Sequence, residues 1–277
     1  MTINTGLVGK TYPPADFHYK TKDVILYALG VGAGPDELNF VYENGLKVLP
    51  TFAVIPAFPV AASPMPEMNV NPMMVVHGEQ EVVLHRPIPD EGTIRTSATI
   101  AGIYDKGSGA TLVVKCASTD AQGAPLFDTT FTFFARGEGG FGGDRGPSAP
   151  KMEIPQRDPD FRVDMPTVSG QALLYRLSGD LNPLHADPDF AKIAGFDRPI
   201  LHGLCTYGHA GRAVLKFACK GDPARFKSFA ARFSGTVYPG DTLITEGFKV
   251  EPGKYLIRTT TQIGTVVLSN AIATVVE

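Results

Sequence analysis

The sequence contains only three cysteines among its 277 residues. Two of them, Cys205 and Cys219, lie in an apolar stretch with a helical pattern, and the third is Cys116. This usage favours free thiols in a reducing compartment over a disulfide framework. The chain also lacks any block of Lys and Arg, and its formal net charge is -3. We therefore expect neither a nucleic acid nor an anionic membrane surface as its main partner.

Long apolar runs are missing as well. No run approaches the roughly 20 apolar residues of a membrane-spanning helix, and the N-terminal "MTINTGLVGKTYPPADF" has no apolar core of a secretory signal. The tail "IATVVE" carries no SKL-type peroxisomal signal. With 43% hydrophobic and 19% charged residues, the composition is that of an ordinary globular protein. We predict a cytoplasmic protein, with a peroxisomal location less expected.

An internal repeat divides the chain. "YALGVGAGPDE" at 27–37 aligns without a gap with "YRLSGDLNPLH" at 175–185, at an offset of 148 residues. "PIPDEGTI" and "TVYPGDTL" match at an offset of 150. Two matches at nearly one offset indicate two related halves. We place an N-terminal half at 1–136, a Gly- and Pro-rich linker at 137–165 and a C-terminal half at 166–277.

Each half is predicted to contain one helix and a series of antiparallel strands. In the second half, residues 203–219 are apolar nearly all round, which indicates a buried helix, and four strand-like segments follow. The first half has the same strands, but its helical region carries prolines at 50, 56, 59, 64 and 66, so its helix should be short or broken. A short helix would leave space beneath the first sheet. The pattern favours an α+β fold with each sheet wrapped around its helix.

Two motifs have structural explanations. "GEGGFG" at 137–142 satisfies G-x-G-x-x-G, but the following "GDRGPSAP" is unsuited to the helix that a dinucleotide site needs, so a connector is favoured. His202, Cys205 and His209 share one helical face, which suits zinc ligands or an ordinary buried stripe. We favour core packing, and predict neither a metal nor a cofactor.

The segment "SGDLNPLHADPDF" at 178–190 is the strongest candidate for chemistry. A turn in which Asn182 caps the next segment explains Asn182 and Pro183, but gives Asp180 and His185 no role. The aligned residues of the first copy are Gly32, Gly34 and Glu37, so a related backbone does without this polar trio. A carboxylate, a carboxamide and an imidazole this close together indicate proton transfer.

Gly203, in "ILHGLCT", is predicted to begin the buried helix. Backbone N–H groups there lack intrahelical partners and the helix dipole is positive, so the Gly203 N–H can bind a developing oxyanion. Glycine would also let a substrate approach the backbone closely. Tight packing alone is the alternative explanation for this glycine.

The pattern Y-x-L-S-G-D-x-N-P-L-H from Tyr175 to His185 resembles the motif of the MaoC-like, (R)-specific enoyl-CoA hydratase family, of the hydratase 2 type. The resemblance continues through "PILHGLCTYG", "YALGVGAGPDELNFVYE", "LPTFAV" and "DKGSG", and so covers nearly the whole chain. It implies a double hotdog fold, in which two copies of a helix are each wrapped by an antiparallel sheet, assembled as a homodimer.

By this resemblance, the reaction is reversible hydration of a trans-2-enoyl-CoA to the (R)-3-hydroxyacyl-CoA, as in fatty-acid β-oxidation. It implies a catalytic role for Asp180 and His185, a water-holding role for Asn182 and an oxyanion donor at Gly203. It also implies that the first half binds the acyl tail. The substrate contacts that it implies are His77, Gly78, Lys106, Gly203 and Phe233.

Other functions remain open: a hotdog thioesterase or acyl carrier protein dehydratase, and a non-catalytic acyl-CoA binding module. Many enzymes of the first class place a carboxylate on the central helix, and residues 203–219 contain none.

Overall fold

The computed structural model describes residues 3–147 and 152–277. Over these residues it contains six α-helices: α1 Thr21–Gly30, α2 Leu38–Val41, α3 Val54–Ala62, α4 Gln171–Tyr175, α5 Pro188–Ile193 and α6 Gly203–Phe217. The strands before residue 148 are β1 Ala15–Tyr19, β2 Val75–Leu84, β3 Gly92–Asp105, β4 Gly109–Asp120 and β5 Pro125–Arg136. Those after residue 151 are β6 Phe161–Pro166, β7 Phe226–Phe233, β8 Thr242–Glu251, β9 Lys254–Thr261 and β10 Val266–Val275. None of the described helices is long and apolar enough to cross a membrane.

The chain forms two compact units, each made of separate segments. The first contains the described residues of Met1–His18, Ala53–Arg86 and Thr93–Lys151, and the second contains Tyr19–Phe52, Pro87–Gly92 and Met152–Glu277. The segment Tyr19–Phe52, which carries the first copy of the repeated motif, thus belongs to the second unit. The linear boundaries at 136 and 166 stay a prediction. Within the predicted linker, residues 148–151 lie outside the described part of the chain.

The two units have the same strand order. In the first it is β1-β3-β4-β5-β2, and in the second it is β6-β8-β9-β10-β7. The first strand of one unit therefore corresponds to the first strand of the other, the second to the second, and so on. The pairs β3–β4, β4–β5, β8–β9 and β9–β10 are antiparallel hairpins. This equivalence confirms the α+β repeat. The short strands β1 and β6 were not predicted, and β6 begins inside the segment interpreted as a linker.

The central helices differ as the prolines predicted. Helix α6 has 15 residues and is buried from Leu204 to Leu215, where it packs on β6, β7, β8 and β10. Helix α3 has nine residues, contains Pro59 in its interior and packs on β4 and β5. A short 3-10 turn, Pro50–Ala53, precedes it. Proline removes a backbone donor and crowds the preceding turn, which is why the first helix is the shorter one.

In the second unit the two motif copies pack against each other. The rings of the aligned residues Tyr27 and Tyr175 lie 6.1 Å apart, and both are fully buried. The Gln171 side chain donates from Nε2 to the Gly30 carbonyl at 2.6 Å, so α4 is held to the end of α1. The Arg212 guanidinium of α6 donates to the Glu37 carboxylate and, at 2.8 Å, to the Val31 carbonyl.

The glycine-rich segment after β5 is anchored by a carboxylate. Asp105 accepts hydrogen bonds at 2.8 Å from the backbone N–H groups of Gly107, Gly140 and Gly142, and these bonds lower its pKa. No helix opens after the third glycine of "GEGGFG" in the described residues up to 147. The glycines therefore form a loop around Asp105, without the strand-loop-helix geometry of a dinucleotide site.

Candidate active site

The segment 178–190 is a turn whose polar residues first build their own backbone. Gly179 has a φ of 131°, which ends the preceding 3-10 turn in a conformation that suits glycine. The Asn182 side chain accepts from the Leu184 N–H at 3.0 Å and caps the 3-10 turn Pro183–His185. Asp187 caps α5 through the N–H groups of Asp189 and Phe190. The capping role proposed for Asn182 is thus correct, and it leaves the Asn182 amide nitrogen outside the cap.

His185 is held in one tautomer by the backbone. Its Nδ1–H donates to the Ile200 carbonyl at 2.8 Å, which leaves Nε2 as the unprotonated nitrogen. The residue is 8% exposed, and burial lowers its pKa, against the opposing effects of the Ile200 carbonyl and the Asp180 carboxylate. At neutral pH the imidazole is therefore neutral and can accept a proton at Nε2.

Asp180 lies beside His185. Its carboxylate accepts from the Asn182 N–H at 3.2 Å, and the residue is partly exposed. One carboxylate oxygen of Asp180 and one ring nitrogen each of His185 and His202 lie within 4.8 Å of one another. A carboxylate and a neutral imidazole thus share one small region with different proton affinities, as acid–base chemistry needs.

His202 is the site residue that the sequence interpretation missed, because it was considered only as a zinc ligand or a core residue. Its ring stacks on His185 with centroids 3.7 Å apart and an angle of 26° between the planes. Its Nε2–H donates to the Asp180 carbonyl at 3.1 Å. Burial, and secondly electrostatic repulsion between the two imidazoles when both are protonated, lower the pKa of His202 to about 3. Its position directly before Gly203 was the one sequence signal that could have indicated it.

The absence of a metal at these histidines stays a prediction, and the ring geometry agrees with it. Lone pairs of an imidazole lie in the ring plane, so two stacked rings direct theirs along nearly parallel planes and not toward one ion. The alternative set His202, Cys205 and His209 is not brought together as ligands. Cys205 donates from Sγ to the Gly30 carbonyl at 3.3 Å, and His209 donates from Nδ1 to the Cys205 carbonyl at 2.9 Å.

Gly203 is the exposed first residue of α6, and the residues that follow it are buried from Leu204 to Leu215. A Cβ at this position would lie 3.2 Å from the Phe233 ring, so these two predicted residues are neighbours. The N–H at the first position of a helix has no intrahelical acceptor and lies at the positive end of the helix dipole. Gly203 thus presents backbone to the surface where an anionic oxygen would be stabilised.

His77 and Gly78 lie at a β-bulge in β2. His77 pairs with Phe133 of β5 and Glu79 pairs with Thr132, so Gly78 is the extra residue. The His77 ring lies 5.2 to 6.2 Å from three phenylalanine rings, those of Phe58, Phe131 and Phe133. Burial lowers the pKa of His77 to about 4, so the imidazole is neutral near pH 7. The polar ring next to the bulge thus lies within an aromatic cluster of the first unit.

Lys106 follows β3, at the turn before β4. Its Nζ donates to the Arg145 carbonyl and lies 5.8 Å from the centre of the Tyr104 ring. Lys106, His77 and Gly78 belong to the first unit, and the other predicted site residues belong to the second. The structure therefore brings together Asp180, Asn182 and His185, and it separately brings together Gly203 and Phe233.

Two models of known protein families match this chain, one in each half. Residues 17–137 match the model described as the MFE-2 hydratase 2 N-terminal domain, and residues 151–271 match the MaoC like domain. A protein of Dictyostelium discoideum named probable enoyl-CoA hydratase 2 is 45% identical, over 99% of this chain and 97% of its own. The 3-hydroxyacyl-thioester dehydratase Y of Mycobacterium tuberculosis is 46% identical, over 94% of this chain and 92% of its own.

Solved structures agree. The crystal structure of a MaoC-like dehydratase from Phytophthora capsici superposes with a TM-score of 0.89 at 33% identity, covering 99% of this chain and 98% of the other. A Mycobacterium tuberculosis protein described as having a double hotdog fold superposes with a TM-score of 0.60 at 13% identity, covering 97% and 96%, which bears on the fold alone. The fold is the double hotdog, and the chain belongs to the enoyl-CoA hydratase 2 family of enzymes, with a MaoC-like second half.

Proposed function

We propose that this protein catalyses the reversible addition of water to a trans-2-enoyl-CoA, giving the (R)-3-hydroxyacyl-CoA. The observation that carries the proposal is the proximity of the Asp180 carboxylate to His185, a neutral imidazole whose Nδ1–H is bound to the Ile200 carbonyl. Membership of the enoyl-CoA hydratase 2 family supports the substrate class. Neither a metal nor a redox cofactor is needed for this reaction, because the water supplies both the hydroxyl and the proton.

Proton transfer is the role we assign to Asp180 and His185. Water is a weak nucleophile at neutral pH, so a base must remove its proton while its oxygen attacks the β-carbon of the enoyl group. A proton must also reach the α-carbon. One water balances the reaction: its oxygen and one hydrogen form the hydroxyl, and its second hydrogen passes through the pair to the α-carbon. Asn182, whose side-chain oxygen caps the turn, has its amide nitrogen to orient this water.

The thioester oxygen gains negative charge as the water adds. We assign its stabilisation to the N–H of Gly203 at the exposed start of α6. A donor of this kind typically lowers the barrier by about 3 to 4 kcal/mol. Phe233 lies beside Gly203, and we assign to it a contact with the same end of the substrate.

Binding of the CoA portion and the acyl tail is assigned from the resemblance. Lys106 would exchange its bond to the Arg145 carbonyl for a CoA phosphate, because a lysine ammonium is a strong point charge for an anion. His77 and Gly78 would contact the acyl group from the aromatic cluster of the first unit. Helix α3, which is short, would leave room for a long or bulky tail.

One assay tests the activity against its rivals. Purified protein is mixed with crotonyl-CoA and with a longer trans-2-enoyl-CoA, and loss of the conjugated double bond is followed together with release of free thiol. We expect double-bond loss without thiol release, and an Asp180→Asn variant should be the inactive control. Thiol release without hydration would indicate a thioesterase. Absence of turnover with every enoyl thioester would indicate a binding module.

A further inference from the structure

We propose that His202 is a positioning residue that holds Asp180 and His185 in their working geometry, by a hydrogen bond to one and a ring stack on the other. This inference rests on the proposed hydration activity. It concerns a side chain for which the resemblance implies no role.

His202 contacts both members of the pair through different parts of its ring. The Nε2–H donates to the main-chain carbonyl of Asp180 at 3.1 Å, across 22 residues of sequence. The ring face lies on that of His185 at 3.7 Å, and Tyr175 covers His202 from another side at 4.9 Å. The main chain at Asp180 and the ring of His185 thus both contact the side chain of His202, which is 1% exposed.

His202 also links the pair to the proposed oxyanion donor. It is the N-cap residue of α6, so its backbone leads directly into Gly203. A shift of His202 would therefore move the Asp180 carbonyl, the His185 ring and the first N–H of the helix together. Acid–base geometry is effective only when the reacting groups are held within a fraction of an ångström.

Packing alone does not account for a histidine at this position. The His202 Nδ1 is buried and has no hydrogen-bond partner. An unpartnered buried acceptor destabilises the fold, and a phenylalanine would fill a similar space without it. A phenylalanine could stack on His185 but could not hold the Asp180 carbonyl. The imidazole is the side chain that does both.

Two replacements separate the two contacts. His202→Phe keeps a ring against His185 and removes the donor to Asp180. His202→Gln keeps an N–H donor near the position of Nε2 and removes the ring. His209→Asn is the matched control, because His209 is a fully buried histidine of the same helix that bonds the Cys205 carbonyl.

We expect each His202 replacement to lower kcat about tenfold or more while KM changes by less than about threefold, since His202 is not assigned to the substrate. The two replacements should differ in their pH profiles. The groups that face His185 are the Asp180 carboxylate, the Ile200 carbonyl and His202, and Arg176 lies near His202. Removing the ring in His202→Gln admits water to His185, so the limb of the profile that reports His185 should move to higher pH. In His202→Phe that limb should stay in place while the plateau falls.

Several results would overturn the inference. They are a near-normal kcat in both variants, a raised KM with unchanged kcat, or an equal loss of kcat in His209→Asn. The proposed function fails separately, if the wild-type protein hydrates no enoyl thioester. Proton NMR titration of the His185 ring then decides the positioning role without substrate. His202→Gln should raise the His185 titration midpoint and His202→Phe should not, and identical midpoints in all three proteins would refute it.

Discussion

The position equivalent to Asp180 in the first motif copy cannot accept an aspartate in its present conformation. Gly32 has a φ of 80°, and a Cβ there would lie 2.6 Å from the His209 Nε2. Side chains at such a φ are strained, and this contact is too short for the buried imidazole to tolerate. Glu37, the counterpart of His185, is bound to Arg212. In the first copy, Gly32 and Glu37 thus serve packing contacts with α6. The proposed chemistry belongs to Asp180 and His185 in the second copy.

At this scale we predict that Asp180→Asn and His185→Gln each lower hydration activity by about 10²- to 10⁴-fold, the usual contribution of a general acid or base. Asp180→Asn retains an oxygen to accept from the Asn182 N–H, so folding should be preserved. The measurement is kcat/KM with crotonyl-CoA, with circular dichroism and thermal unfolding as controls. Near-normal turnover by either variant would show that the pair is wrongly assigned.

The elements that support the site are held by a few long-range contacts. Helix α6 contacts the segment Tyr19–Phe52 through Arg212, whose guanidinium reaches Glu37 and the Val31 carbonyl. The side chains of Arg212 and Glu37 are 7% and 15% exposed. A buried ion pair adds little by comparison with apolar packing, but loss of one partner leaves a desolvated charge. The Arg212–Glu37 pair therefore ties this segment to α6 at a cost that only an intact pair offsets.

We predict that Glu37→Ala lowers the free energy of unfolding by about 3 to 5 kcal/mol, because Arg212 stays buried without a counter-charge. The measurement is urea unfolding followed by circular dichroism. Asp16→Ala is the matched control: it breaks the Arg95–Asp16 pair, whose side chains are 52% and 37% exposed, and should change stability far less because solvent screens this pair. Recovery of stability in a Glu37→Leu, Arg212→Met double variant would support the explanation, and equal costs for Glu37→Ala and Asp16→Ala would contradict it.

Helix α3 gives the second prediction at the scale of elements. Phe58 of α3 is half-buried and lies against His77 and Phe131. If the first unit receives the acyl tail, Phe58→Ala should enlarge that space and shift the ratio of kcat/KM toward the longer substrate by about tenfold, or ~1.4 kcal/mol. Competition between crotonyl-CoA and a longer enoyl-CoA measures this ratio. Leu181→Ala, an exposed position beside Asp180, is the control and should leave it unchanged.

Unchanged chain-length selectivity across several replacements in residues 50–66 would count against assignment of the tail to the first unit. Variants should be compared at matched thermal stability, because Phe58 also packs in the aromatic cluster.

For the whole molecule, His77, His202 and His209, like His185, are neutral histidines that link folding to pH. Burial is the largest cause that lowers the pKa of His77 to about 4, of His202 to about 3 and of His209 to about 4. In the unfolded chain each returns to an ordinary value near 6.5. The unfolded state thus binds more protons below that pH. The contribution of these histidines to the free energy of unfolding is fully present above about pH 6.5. It is lost as the pH falls toward their pKa values in the folded state.

We predict that the free energy of unfolding decreases between pH 6.5 and pH 4.5, by up to about 1.4 kcal/mol per pH unit for each of these histidines. Urea midpoints at several pH values measure this slope. His209→Asn should make the slope shallower, because the proton of His209 is no longer taken up on unfolding. A flat profile over this range, or one that His209→Asn does not alter, would contradict the linkage.

Homodimer assembly and a cytoplasmic location stay predictions for the whole molecule. Cys116, Cys205 and Cys219 are free and buried, and in this respect the prediction of free thiols is confirmed.

Local features of this protein were determined by sequence alone. The turn at 178–190, its caps and the proximity of Asp180 to His185 follow from neighbouring residues, because capping and turn formation act over a few positions. The prolines shortened α3, and the apolar run of α6 fixed its burial, for equally local reasons. The repeat fixed the fold, since each half must bury one helix against one sheet.

Tertiary structure decided what depends on contacts between distant residues. His202 reaches the Asp180 carbonyl across 22 positions, and the segment Tyr19–Phe52 joins the second unit although the repeat assigned it to the first half. The lowered pKa values of the buried histidines arise from exclusion of water, which no spacing of residues reveals. Sequence identified the groups that carry the proposed chemistry, and the fold determined the histidine that holds them in place.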